Sequence, residues 1–261
     1  MSTARPRQLI VVDVGNTNTV IGVYRDDRLE THFRLSTDRA RTANEYAALM
    51  LPLLDRAGFD PPATDAVVVS SVVPTLNDTL TRLSRELLAC EPLFVAPGIR
   101  TGLPIRYENP AEVGADRIAN AVAAVARYGQ HGAGVDFGTA TTFDVVNSSG
   151  EYAGGVIAPG IAISAEALFS HASRLYRVDL QAPPRVIGKN TAVAMQSGIY
   201  YGSIGLVDGL LDRIKEELPE LELVVATGGL AELIGDGSRH IRRVDPLITI
   251  EGLRMIDERK R

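Results

Sequence analysis

Cysteine occurs once in this chain of 261 residues, at Cys90. No intrachain disulfide and no multi-cysteine metal site can therefore form, and a reducing compartment fits. The four histidines (His32, His131, His171 and His240) are scattered, with no metal-ligand spacing among them. A basic excess is also lacking, since 27 Lys and Arg stand against 32 Asp and Glu for a net charge of −5. That balance excludes a general binder of nucleic acid or of anionic membrane surfaces, although it allows one local anion site. No stretch approaches the ~18 uninterrupted apolar residues of a membrane span, and the N-terminal Met-Ser-Thr-Ala-Arg-Pro-Arg-Gln lacks an apolar signal core. The expectation is a cytoplasmic protein that engages neither nucleic acid nor membrane. Low-complexity linkers are missing too. Hydrophobic content of 45% and charged content of 23% are ordinary for a globular chain, here long enough for two domains.

Against these absences stands a loop that occurs twice. Asp13-Val-Gly-Asn-Thr-Asn-Thr19 follows the apolar run Leu9-Ile-Val-Val12, and Asp136-Phe-Gly-Thr-Ala-Thr-Thr142 follows Gly-Ala-Gly-Val135. Each places a carboxylate at a strand end, a glycine two residues on, and then several hydroxyls. The glycine lets backbone N–H groups approach an anion closely, and the hydroxyls add donors. The carboxylate would repel a phosphate, so it suits a metal ion or the waters around one. One loop of this kind is also a plain tight turn. Two, half a chain apart, point to a duplicated domain gripping a nucleotide between its halves.

The flanking pattern supports duplication. Residues 8–36 read as three strands, with the loop after the first and the polar turn Arg25-Asp-Asp-Arg28 after the second. Strands at 135–136, 143–147 and 151–157, with the turn Asn147-Ser-Ser-Gly150, repeat that order. Helical spacing is present at 43–57, 75–88, 162–170 and 191–217, and short strands at 66–70, 93–95 and 221–226. Strands alternating with helices indicate an α/β sheet. A helix around 116–130 is the best joint between the halves.

Several segments carry two readings. Asn109, Pro110 and Glu112 look like a helix start, which Gly114 interrupts, so the helix begins near Ala115. Asp116 and Arg117 at its entrance are either a solvated charge pair or a proton-accepting carboxylate beside an arginine that binds an acidic group. Thr227-Gly-Gly-Leu230, after a strand, is a packing turn or a bare surface for a flat base. Gly154-Gly155 with Ala158-Pro-Gly160 is a bulge and turn or a nucleotide contact. Glycines 198, 202, 205 and 209 form a small-residue stripe on a helix, packed closely within the chain or across a dimer.

Together these segments resemble the type III pantothenate kinases of the acetate and sugar kinase/Hsp70/actin superfamily. The carrying motifs are Asp13 to Val20, Tyr107-Glu-Asn-Pro110, Gly114-Ala-Asp-Arg117, Asp136 to Thr142, Gly155 to Gly160, Lys189-Asn-Thr191 and Thr227-Gly-Gly229. The resemblance implies α/β architecture: duplicated actin-like (ribonuclease H-like) domains, 1–118 and 119–261, with a nucleotide cleft between them, working as a homodimer. It implies ATP-dependent phosphorylation of pantothenate at its 4′-hydroxyl, with Mg²⁺ and a monovalent cation, K⁺ or NH₄⁺. Carried over, Asp13, Val14, Gly15, Asn16, Thr17, Asn18, Thr19, Val20 and Thr139 would bind ATP. Tyr107, Gly114, Ala115, Asp116, Arg117 and Thr191 would hold pantothenate, with Asp116 as catalytic base and Asp136 on the monovalent cation. A transcriptional accessory role and a nucleotide-driven chaperone-like module are the rivals from other classes. The acidic balance, the lack of a DNA-binding motif and the intact Asp116 count against the first. The second has no need of Gly114-Ala-Asp-Arg117. A kinase for a different small hydroxy acid is set aside only by the resemblance.

Overall fold

The computed structural model describes residues 5–96, 98–129, 131–172 and 174–260. The first four residues and Arg261 of the basic tail lie outside them. By contacts the chain forms two compact units, one of Met1–Leu103, Glu108–Ala123 and Thr249–Arg261, the other of Pro104–Tyr107 and Ala124–Ile248.

In the first unit, β1 (Gln8–Val14), β2 (Asn18–Arg25) and β3 (Arg28–Ser36) form an antiparallel meander. β4 (Ala66–Ser71) runs parallel to β1 on its other side, and β5 (Pro92–Phe94) parallel to β4, giving the order β3-β2-β1-β4-β5. The sheet is covered on both faces, which is why β1 reads as an unbroken apolar run rather than an alternation. On one face Ile10, Val12, Val14, Ile21, Val23, Val67 and Val69 pack with α1 (Ala43–Arg56) and α2 (Asn77–Leu88). α1 starts at a capping box, Thr42 with Glu45, a feature typically worth about 1 kcal/mol. It buries Tyr46, Met50 and Leu54, four residues apart along one stripe, each worth roughly 1.5–3 kcal/mol. α2 begins two residues later than its spacing predicts because Pro74 opens a 3₁₀ turn, Pro74–Leu76, ahead of it.

On the opposite face lies the last helix, α7 (Ile248–Lys260), numbered in chain order after the helices below. A β-carbon at Gly22 would stand 2.8 Å from Val11 Cγ2 and 3.2 Å from Ile250 Cδ1. Tyr24 donates its hydroxyl to Glu251 Oε1 at 2.9 Å. α3 (Ala115–Tyr128) crosses α7 so closely that a β-carbon at Gly252 would stand 2.0 Å from the Ala119 carbonyl oxygen. Residues of α3 up to Ala123 belong with the first unit and those from Ala124 with the second.

The second unit repeats the plan. β6 (Gly132–Phe137), β7 (Ala140–Val146) and β8 (Tyr152–Pro159) form a meander, followed outward from β6 by parallel β9 (Val224–Gly228) and β10 (Arg243–Val244). Both sheets therefore have three antiparallel strands and then two parallel ones, and the expected duplication is present strand for strand. β6 starts earlier than the expected 135–136. Its glycines allow close backbone approach: a β-carbon at Gly132 would lie 2.8 Å from the Leu223 carbonyl oxygen. α4 (Ile161–His171), α5 (Thr191–Glu217) and the short α6 (Ala231–Gly235) complete the unit. Val135, Phe137, Phe143, Val207, Leu211, Val224 and Ile234 are among its core residues. α5 matches its sequence pattern at both ends, with the Asn190 side chain accepting from the Val193 N–H at 2.9 Å. Among the described residues, β-carbons built at Gly198, Gly202 and Gly205 meet nothing within 4 Å, while one at Gly209 would stand 3.6 Å from Arg213 Nη1. Among the described residues no helix is long and apolar enough to cross a membrane.

Candidate active site

The first loop is the β1–β2 hairpin. Asp13 pairs with Val20 and Val14 with Thr19, and the Gly15 N–H donates to the Asn18 carbonyl at 2.9 Å to close the turn. Asn16, Thr17 and Asn18 are exposed at its tip. Val14 instead lies in the core, and Thr19 is buried with Oγ1 2.9 Å from Thr37 Oγ1. These two hold the loop, while the three tip residues present amides and a hydroxyl. Two further braces carried no sequence signal. The Thr37 N–H donates to the Thr17 carbonyl at 3.0 Å, and Arg39 Nη2 donates to Asn16 Oδ1 at 3.0 Å. Both come from the segment after β3, and only the meander brings them alongside.

The second loop, between β6 and β7, closes with the Gly138 N–H on the Ala140 carbonyl at 3.1 Å, leaving Thr139 exposed. Two distant glycines fit against it. A β-carbon at Gly160 would stand 2.1 Å from the Thr139 carbonyl oxygen and 2.8 Å from that of Gly138. One at Gly228 would stand 2.5 Å from Asp136 Oδ1 and 2.6 Å from the Phe137 carbonyl oxygen, and Gly228 has φ +92°. Gly228 pairs with Phe137 across the parallel β6–β9 ladder. The Ala158-Pro-Gly160 and Thr227-Gly-Gly229 segments both bring bare backbone against the Asp136 loop.

Asp116 stands in the first turn of α3. Before it, the Asn109 side chain accepts from the Ala111 N–H at 3.2 Å and starts the 3₁₀ turn Pro110–Glu112, and α3 restarts at Ala115 after Gly114. Asp116 Oδ1 accepts the Arg117 N–H at 2.8 Å. A β-carbon at Gly114 would stand 2.5 Å from that same Oδ1, so the carboxylate is folded back over the glycine. Burial raises the Asp116 carboxyl above the usual carboxylate range, while the Arg117 N–H and guanidinium pull it down less strongly. Arg117 itself is buried, at 7% exposure.

In the second unit, the Tyr107 ring lies 6.4 Å from that of Tyr152, tilted by 56°, and near Gly154. The Tyr152 hydroxyl donates to the buried Asp144 Oδ1 at 2.8 Å. Thr191 is exposed at the first position of α5, where Gly188 permits a tight approach to the Ala194 N. Beside α5 a cavity of about 230 Å³ is lined by Phe137, Thr141, Ile161, Gly198, Gly202 and Leu206, among others. Among the described residues no group of three or more His, Cys, Asp or Glu could hold a metal ion. The donors at hand fit cations that need no such cage. Magnesium with a nucleotide takes one or two carboxylates and otherwise phosphate oxygens and water. Potassium takes carbonyl oxygens, and those of Phe137, Gly138 and Thr139 follow Asp136 in the second loop.

A family model described as type III pantothenate kinase matches residues 9–213. A curated protein of that name from Anaeromyxobacter sp. (strain Fw109-5) is 54% identical over 253 residues, covering 97% of this chain and 100% of its own. Among solved structures, a conserved candidate transcriptional activator of the Baf family from Campylobacter jejuni is similar at TM-score 0.57 and 22% identity. That likeness covers 95% of this chain and 97% of the other. A ROK family glucokinase from Streptomyces griseus is similar at TM-score 0.52 and 12% identity, over 96% and 98% of the two chains. These likenesses bear on the fold, the duplicated actin-like α/β architecture of sugar kinases.

The raised Asp116 carboxyl has a stability consequence of fixed sign. The folded state keeps this proton to higher pH than the unfolded chain, so stability is lost as pH rises from the unfolded value through the raised one. Asp116→Asn should therefore unfold at a higher temperature than wild type at pH 8, by on the order of a few °C. The gap should shrink towards pH 4. Thermal melts of both proteins across that range test this, and a variant less stable at every pH contradicts it.

Proposed function

The chain belongs to the type III pantothenate kinases, and from that membership we propose how its residues move a phosphoryl group from ATP to the 4′-hydroxyl of pantothenate. This is the first step of coenzyme A biosynthesis. The observation that carries the residue assignment is the Asp116 carboxylate, held over Gly114 and partly desolvated at a helix entrance. Phosphoryl transfer asks the protein chiefly for charge neutralisation and alignment. Asp116 accepts the proton of the 4′-hydroxyl as the new P–O bond forms. Its raised proton affinity makes it a better acceptor than an exposed aspartate.

The Asp13–Val20 hairpin offers Asn16, Thr17, Asn18 and backbone N–H groups to the ATP phosphates, and Thr139 adds a hydroxyl from the second loop. Asp13 is the carboxylate suited to Mg²⁺, which when bound neutralises phosphate oxygens and orients them. Asp136, with the Phe137, Gly138 and Thr139 carbonyls, is suited to K⁺ or NH₄⁺. Tyr107, Gly114, Ala115, Arg117 and Thr191 recognise pantothenate, the Arg117 guanidinium answering its carboxylate. The protein works in the cytoplasm as a homodimer. The glycine face of α5, open within the chain and flanked by the exposed Leu206, supports that pairing.

A coupled assay of ADP release with pantothenate tests the base. Asp116→Asn should lower kcat by ~10²–10⁴-fold. Wild-type activity should fall with pH through a value above the ordinary aspartate range, because the ionised form is the acceptor. Full activity in the variant, or turnover without pantothenate, rejects the assignment. In the same assay Asp136→Ala should abolish stimulation by K⁺ along with most activity, and retained stimulation places the ion elsewhere. Light scattering should give twice the 28.0 kDa chain mass. Leu206→Glu should shift it towards the monomer, and an unshifted dimer removes α5 from the interface.

A further inference from the structure

β4 is an apolar strand that ends in two serines, Ser70 and Ser71. Val67 and Val69 belong to the core beneath α1 and α2, so strand alternation sends Val68 and Ser70 to the opposite face. The same alternation along β1 puts Ile10, Val12 and Val14 in that core and leaves Leu9, Val11 and Asp13 opposite. β1 and β4 are parallel, with Asp13 in register with Ser70. Ser70 is thus a cross-strand neighbour of Asp13 on the same face, at the carboxyl end of the parallel pair, where α/β sheets bind ligands.

Ser70 is fully buried, and its Oγ has no hydrogen-bond partner among the described residues. The next hydroxyl differs, since Ser71 Oγ both accepts from the Val73 N–H and donates to the Val73 carbonyl at 3.2 Å. Gln8 Oε1 is also unpartnered, but it stands at the far end of β1 from the loop. A buried hydroxyl without a partner costs stability that an alanine would not. Its place beside the phosphate loop gives that cost a purpose.

We propose that Ser70 is a positioning residue of the nucleotide site, whose hydroxyl donates to the Asp13 carboxylate when that group serves magnesium and the ATP phosphates. This rests on the reading of Asp13 above. Calorimetric titration of the full chain with ATP, in Mg²⁺ and in EDTA, tests it together with melts of the nucleotide-free protein. Ser70→Ala should melt at or above the wild-type temperature. It should weaken ATP binding in Mg²⁺ by about 3–10-fold, the scale of one hydrogen bond, and leave binding in EDTA unchanged. Ser71→Ala should do the reverse, with a lower melting temperature and an unchanged ratio of the two affinities. A Ser70→Ala protein that melts lower with an unchanged ratio overturns the proposal. Asp13→Asn separates the two layers. If it keeps the full Mg²⁺ effect, the reading of Asp13 falls and Ser70 falls with it. If it loses that effect while Ser70→Ala keeps it, Ser70 alone is wrong.

Discussion

Two carboxylates in this protein occupy space that exists only because a neighbouring residue has no side chain. Asp116 Oδ1 lies 2.5 Å from where a β-carbon of Gly114 would stand, and Asp136 Oδ1 lies at the same distance from one at Gly228. The consequences of filling those spaces differ. At Gly114 the nearest obstruction is the carboxylate itself, which can turn away, so the backbone survives and the orientation of Asp116 does not. At Gly228 the Phe137 carbonyl oxygen also stands at 2.6 Å and φ is +92°. Any β-carbon there meets fixed backbone in a conformation that costs L-residues of order 1–3 kcal/mol. The first glycine governs the aim of one side chain, whereas the second governs how β9 meets β6.

The two loops share a fold plan and differ in how they are braced. Each follows the first strand of a meander and sits beside a parallel neighbour, β4 or β9. The first is held at its tip by side chains, Arg39 on Asn16 and buried Thr19 on Thr37. The second is held by bare backbone from Gly160 and Gly228. Side-chain bracing can re-form as the chain shifts. Backbone bracing from Gly160 and Gly228 leaves the second loop less room to shift.

Much of this was legible in the sequence because it is local. The hairpin loops follow from glycine and strand periodicity, the extent of α5 from its helical spacing over 191–217, and the late start of α3 from Gly114. What was not legible is long-range. Nothing near Gly228 or Gly160 says that both approach the same loop, since that follows from β6–β9 pairing and from where β8 ends. Thr37 and Arg39 lie after β3 in an unremarkable polar stretch. The glycines at 198, 202 and 205 gave the right element, but their spacing could not say that the chain itself leaves them uncovered. Strand β4 ends in two adjacent serines, and only contacts show that one is bonded and the other is not.

The balance at Asp116 shows how burial can override local rules. A helix entrance favours a carboxylate by typically 0.3–1 kcal/mol, up to about 2 when partly buried. The Arg117 N–H and guanidinium act in the same direction. Burial opposes all three, and it prevails, because desolvation of a buried acid can reach several pKa units. A residue chosen for folding alone would not stand there. Asn would keep the hydrogen bond to Arg117 and avoid the charge. The same holds for Ser70, where valine would continue the strand and leave no stranded hydroxyl. Neither departure is what packing alone selects: one places a desolvated carboxyl at a helix entrance, the other a buried hydroxyl with no partner among the described residues. At both places the residue departs from the choice that folding alone would make, while its neighbours obey the packing rules.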